Sequence, residues 1–473
     1  MTFSSAYRPD PRLPRLGPEF ADPVQAADFP QTILRFRHQR AAGAVGLDTL
    51  RDEDWRSHFG RFKPLPGNLE APLAQRYHGH QFRVYNPDLG DGRGFTFAQL
   101  REVGSDRLLD LGTKGSGQTP WSRQGDGRLT LKGGVREALA TAMLEAQGVN
   151  TSRTFSLIET GENLQRNDEP SPTRSAVLVR LSHGHIRFGT FQRQAFLERP
   201  DQIGRLVDYV IETYYPELET AANRRAALLA AVIDRTAAMA AGWMAAGFVH
   251  GVLNTDNMNI TGESFDYGPY RFLPRNDPNF VAAYFDQTGL YSFGRQPEAV
   301  FWNLQQLAGC LALGETDQAP LVAALNTFGE VYRTALAAAM LRRLGILAES
   351  PEADLALAGS AFRALATGGD ALRWEPFFFD WFCGDAHRAM AGPRRNIYKG
   401  PECADFCALI SDRIADRPER LESAYFAKAD PQELLIDEIE AIWSDIAERD
   451  DWSAFEGKLA DLEVARVAVA ARL

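Results

Sequence analysis

Near residue 195 the hydrophobic pattern of this chain changes period, and that change limits its fold more than any other feature. Between residues 71 and 195, short apolar and β-branched runs alternate with glycine clusters. Examples are Thr154-Phe-Ser-Leu-Ile158 and Ala176-Val-Leu-Val-Arg-Leu181, and they read as strands joined by tight turns. One Ala/Leu/Glu-rich stretch, 134–147, interrupts them as a helix that stops at Gly148. From about 200 onward apolar residues recur at helical spacing, through 221–247, 298–313, 319–345, 353–366 and 431–470. A strand-rich unit with one main helix, followed by a mostly helical unit, is an α+β chain of two lobes with a cleft between them. The implied division is a β-rich lobe at 71–195 and a helical lobe at 196–473. A proline-rich extension, 1–70, precedes them and packs on the body, with one helix-like stretch at 31–47.

Composition narrows the ligands. With 45% hydrophobic and 24% charged residues the chain is of globular type. Its net charge of −11 argues against a general nucleic-acid binder, so any anionic ligand must be held by a local cluster of cations. Four cysteines are too few for a disulfide framework, and the first residues lack the apolar core of a signal peptide, so a cytoplasmic protein is expected; a monomer is one option for an oligomeric state that the sequence leaves open. The uncharged run 236–255 reads as a buried helix followed by a loop, with no membrane span.

Three clusters could carry chemistry. In 89–94, Leu-Gly-Asp-Gly-Arg-Gly, Gly90 and Gly92 leave backbone N–H groups open to a phosphate, though such runs are also ordinary turns. Lys114 precedes the glycines of 112–119 where a P-loop lysine would follow them, so a P-loop is rejected. Lys114 instead ends an apolar strand, and Glu137 lies in the following helix. Protein kinases fix a phosphate-binding lysine with such a pair, although a surface lysine and a glutamate at a helix start would read the same way. In 175–189 a His183-Gly184 turn would make a hairpin with Arg180 facing Arg187, two like charges calling for an anion; a longer turn would separate them. Finally, His250, Gly251, Asn257 and Asp266 follow the order of a kinase catalytic loop and metal-binding turn. Val252 stands where the catalytic Asp is expected, and Asp256 offers a carboxylate beside Asn257. An Asn–Asp oxygen pair suits Mg²⁺.

Together with Tyr77-His-Gly-His-Gln-Phe82 and Asp110-Leu-Gly-Thr-Lys-Gly-Ser-Gly-Gln-Thr-Pro120, these motifs resemble the selenoprotein O (YdiU) family of protein adenylyltransferases. The likeness is close over 60–300 and looser elsewhere. Members are pseudokinases of protein-kinase-like fold that bind ATP in a flipped pose and transfer AMP to protein hydroxyls. The resemblance implies nucleotide contacts at Gly90, Gly92, Arg93, Lys114, Asp126, Gly127, Arg180 and Arg187, with Glu137 behind Lys114 and Asp266 touching both nucleotide and metal. It implies Asp256 as base and Asn257 and Asp266 as ligands to Mg²⁺, with Mn²⁺ the alternative. Its implied partners are ATP and proteins bearing Ser, Thr or Tyr hydroxyls. The competing readings are a kinase-like phosphotransferase and an inactive ATP-binding scaffold. The chain departs from the family pattern around 392–399. It also lacks cysteine in 267–293 and at its end, so the family's redox switch is expected to be missing. His78 and His80 read as structural, and Cys403 and Cys407 as buried thiols on one helical face.

Overall fold

The computed structural model describes residues 3–167 and 169–470. Its β-rich N-terminal region is built on ten strands: β1 (Ala21–Pro23), β2 (Ile33–Arg37), β3 (Leu73–Gln75), β4 (Gly79–Gln81), β5 (Val84–Asn86), β6 (Thr96–Arg101), β7 (Leu108–Lys114), β8 (Leu129–Thr130), β9 (Arg153–Leu164) and β10 (Thr173–Ser182). The main sheet is antiparallel, in the order β1-β3-β6-β7-β10-β9-β2 with β8 paired to β10, while β4 and β5 form a separate hairpin.

The unbroken apolar run of β10 is that of a strand covered on both faces. Ala176 and Leu178 pack with helix α3 (Leu131–Ala146), whereas Val177, Val179 and Leu181 pack into a second core with Phe29, Trp55, Phe59 and Phe62 from the first 70 residues. Trp55 stacks on Phe155 at 4.8 Å and donates Nε1–H to Ser156 Oγ at 2.8 Å. Those residues also supply β2 and the helices α1 (Gln39–Ala44) and α2 (Asp52–Phe59). The helix-like reading of 31–47 is therefore half wrong. Ile33, Leu34 and Phe36 are strand, because pairing with β9 (Leu34 opposite Ile158, Phe36 opposite Leu157) overrides local pattern.

Side-chain alternation puts Asp110, Gly112 and Lys114 of β7 on the side away from Leu109 and Leu111, which belong to the second core. By the same alternation Arg180 shares the α3 side of β10 with Ala176 and Leu178. The sheet thus aims both cations at the helix.

The C-terminal region is helical: α4 (Phe188–Phe196), α5 (Pro200–Tyr214), α6 (Arg224–Ala245), α7 (Gln296–Leu311), α8 (Ala319–Asn326), α9 (Phe328–Leu344), α10 (Pro351–Thr367) and further helices beyond. The stretch read as one helix at 319–345 breaks at Thr327, and that at 431–470 breaks at Asp450, whose φ of +50° ends Ile436–Arg449 before Ser453–Val469. Helix α6 is long and apolar enough to cross a membrane by length and composition. Here it packs against α7, α8 and α9.

Candidate active site

Lys114, the last residue of β7, donates Nζ–H to Glu137 Oε2 at 2.6 Å and lies 2.8 Å from Asp266 Oδ1. Glu137 reaches it because α3 begins earlier than its sequence suggests. Thr130 caps the helix by accepting from Gly133 N at 3.1 Å, which puts Glu137 in the second turn. Gly134 is required inside that helix, since a Cβ there would meet Leu157 Cδ1 at 2.4 Å. Arg180 Nη1 lies 3.5 Å from both Glu137 Oε1 and Asp266 Oδ1.

The expected hairpin around His183-Gly184 does not form. Strand β10 already has β7 on one edge and β9 on the other, so no edge remains for a returning strand. Gly184 does take positive φ, +90°, but the chain leaves the sheet and Arg187 precedes the first residue of α4. The two arginines meet by another route. Phe265 lies under both guanidinium groups, 5.3 Å from that of Arg180 and 4.9 Å from that of Arg187, and Tyr77 faces Arg187 at 4.6 Å. Arg187 Nη1 donates to the Asp256 carbonyl oxygen at 2.7 Å, and its Nη2 lies 3.4 Å from Asp91 Oδ1. Among the described residues the Nε–H of each arginine is buried without a partner.

Asp256 sits in the single turn Thr255–Asn257, held by flanking bonds. Asn254 Oδ1 accepts from Phe82 N at 3.1 Å and from Tyr291 Oη at 3.0 Å, and Thr255 Oγ1 accepts from His80 N at 2.7 Å. Asp256 Oδ1 is buried with no hydrogen-bond partner among the described residues, and burial pushes this carboxyl up to about 6, against the pull of Arg187. Gly79 is required beside it, because a Cβ there would stand 2.9 Å from Oδ1. Asp266 is opposite in character. Burial alone would raise it, but Lys114, then Arg180, Arg93 and Arg187, hold it well below the usual carboxylate range. Its φ is +64°. His250 backs this turn, with Nε2 3.0 Å from the Phe265 carbonyl oxygen.

A cavity of about 740 Å³ opens at Asp256 and is lined by Gly90, Gly92, Arg93, Asp126 and Gly127, among others. Every residue of the implied nucleotide, base and metal set therefore falls either on this cavity, in the Lys114–Glu137–Asp266 cluster with its two arginines, or, as Asn257, next to Asp256 in the chain. Gly90 and Gly92 also have a packing role. A Cβ on Gly90 would meet Trp121 Cγ at 2.4 Å and one on Gly92 would meet Trp121 O at 2.8 Å, so these glycines let the 115–128 loop lie against them. The Asp126 carboxylate is held by Arg166 at 2.8 and 3.1 Å. No role was assigned from sequence to Tyr77, Asp91, Trp121, Arg166 or Phe265. Tyr77 and Asp91 stood inside the motifs that carry the resemblance and Phe265 beside Asp266, whereas Trp121 and Arg166 carried no signal. His78 and His80 are bound to Tyr85 and Gln192, at 2.8 and 2.6 Å.

Asn257 donates Nδ2–H to Val252 O at 3.0 Å, an orientation that leaves its amide oxygen to act as an acceptor, and Asp266 is held in its anionic form by the surrounding cations; both are oxygen donors of the kind a hard divalent cation takes. Mg²⁺ needs few protein oxygens when phosphates supply the rest.

A family profile described as "Protein adenylyltransferase SelO" matches residues 4–463. The chain belongs to the SelO family. The match runs well beyond the 60–300 segment on which the resemblance mainly rested. Curated relatives called "Protein nucleotidyltransferase YdiU" include one from Synechocystis sp., 44% identical over 96% of this chain and 97% of its own length. Another, from Gloeobacter violaceus, is 45% identical over 94% and 93%. A third, from Trichormus variabilis, is 50% identical over 73% and 70%. The chain is thus an enzyme of the protein nucleotidyltransferase class.

Proposed function

We propose that this enzyme transfers AMP from ATP to Ser, Thr or Tyr hydroxyls of proteins and releases pyrophosphate, on a two-lobed, protein-kinase-like fold. One observation carries the reading. Lys114, Arg180 and Arg187 converge on the strand-rich side, with two buried, unpartnered Nε–H donors, while Val252 stands where a kinase would hold its base and Asp256 presents a free carboxylate oxygen. Buried donors without partners cost free energy unless a ligand accepts from them, and a triphosphate supplies the acceptors. The pair of Lys114 and Glu137 supports the kinase-like fold.

Lys114 and the arginines fix the triphosphate so that the α-phosphorus lies toward Asp256. Asp256 takes the proton of the acceptor hydroxyl, whose oxygen bonds to that phosphorus. The bond from phosphorus to the bridging oxygen breaks, and pyrophosphate leaves with the electron pair. Mg²⁺, or Mn²⁺ in its place, would be held by Asn257 and Asp266 and would neutralise charge on the phosphate oxygens. The remaining work is positioning. The reading is tested by measuring pyrophosphate release that depends on a protein acceptor. Asp256→Asn should lower it by about 10²- to 10⁴-fold with ATP affinity retained. Full turnover in that variant would remove Asp256 as the base.

A further inference from the structure

We propose that Tyr284 and Phe285, with Val84 on the β4–β5 hairpin, form the docking surface for the acceptor polypeptide and favour hydroxyl residues flanked by apolar side chains. The inference rests on the reading of Asp256 as the base in AMP transfer. Tyr284 is 82% exposed, Phe285 47% and Val84 71%. The loop that carries the two aromatics is anchored on both sides. On one side Ala282 and Ala283 are buried against Gly251, and on the other the Asp286 carboxylate accepts from Leu290 N at 3.0 Å and Tyr291 N at 2.8 Å. Exposed apolar surface of this kind marks interaction sites.

The surface is continuous with the cavity. Phe285 lies 5.8 Å from Phe82, ring to ring, and Phe82 N is bonded to Asn254, two residues before Asp256. Phe82 and Arg83 form the hairpin tip, both left-handed (φ +50° and +64°), a conformation that costs free energy and is kept only because neighbours hold it. Gln81, the next residue back, lines the cavity together with Asp256.

Arg83 and Arg295, the cations nearest the strip, share Glu298, each at 3.1 Å, so neither is left for an acidic partner. The opposite end of the cavity, with Arg93, Arg123, Asp126 and Arg166, is polar and suits the nucleotide. A hydroxyl must come within about 2.6–3.2 Å of Asp256 to give up its proton, which lays the residues flanking it across this rim.

The test uses the full chain and a Tyr284→Ser/Phe285→Ser variant, with two synthetic peptides in which one serine is flanked by leucines or by asparagines. Binding is followed by fluorescence anisotropy in the presence of Mg²⁺ and α,β-methylene-ATP, and transfer by label from α-labelled ATP. The wild type should bind the leucine peptide about tenfold more tightly, and the variant should lose that preference while binding the ATP analogue unchanged. Equal binding of both peptides by the wild type, or a preference that survives in the variant, would overturn the proposal. So would a variant whose only change is loss of a dimer in sedimentation, which would make the strip a self-association face. A lost preference without label transfer in the wild type would uphold the surface and overturn the AMP-transfer reading.

Discussion

Phe265 holds two guanidinium groups without neutralising either one. A carboxylate in its place would satisfy their N–H groups and leave nothing for a phosphate, whereas an aromatic face stabilises the cations and keeps their donors free. Phe265→Leu should therefore weaken ATP binding about tenfold by calorimetry, and Phe265→Tyr should restore it. Arg180→Ala and Arg187→Ala should each weaken binding, and the double variant less than the sum, since both grip one anion; strict additivity would mean that they do not share a ligand. At this scale charged residues were legible in the sequence because strand alternation and kinase-like order constrain them. Phe265 and Asp91 were not, since their partners lie far along the chain. The glycines were read as close-approach positions, but nothing local announces that Trp121 will come to rest on Gly90.

Among the elements, α3 and the segment after the catalytic loop carry most of the positioning. The helix was visible from composition, but its true start depends on the Thr130 cap and on the fit of Gly134 against Leu157, a contact between distant residues. The false hairpin failed for a similar reason. Turn chemistry at Gly184 was right, yet β10 is a central strand with both edges taken, which a local window does not show. Just before Phe265, Glu263 is buried and accepts from His183 N at 2.9 Å; burial pushes its carboxyl up to about 7, against the pull of that N–H and of Arg153 and Arg107. With a folded value above the unfolded 4.5, the folded state binds the extra proton between the two values. This contribution to stability is full below about 4.5 and is lost as pH rises through about 7. Glu263→Gln should accordingly raise Tm at pH 8 relative to wild type and change it little at pH 5, as calorimetry would show. Parallel Tm profiles for the two proteins would contradict the burial argument.

Across the whole molecule, the change of hydrophobic period near 195 announced a strand-rich region followed by a helical one, because burial imposes periods of two and 3.6 on long stretches. The place of the first 70 residues was less legible. They add β2 to the main sheet and cover the face opposite α3, a role fixed by tertiary pairing and by Trp55 on Phe155. That cover keeps β7 and β10 rigid, so that Lys114 and Arg180 stay aimed at Asp266. The central claim is that these cations seat a triphosphate with its α-phosphorus toward Asp256, and one measurement tests it most directly. The enzyme is incubated with Mg²⁺, a protein acceptor and ATP labelled at either the α- or the γ-phosphate, alongside Lys114→Ala and Asp266→Ala controls shown to be folded. The account predicts α-label and no γ-label in protein, lost in both controls; incorporation from the γ-position alone would make the enzyme a kinase and contradict it.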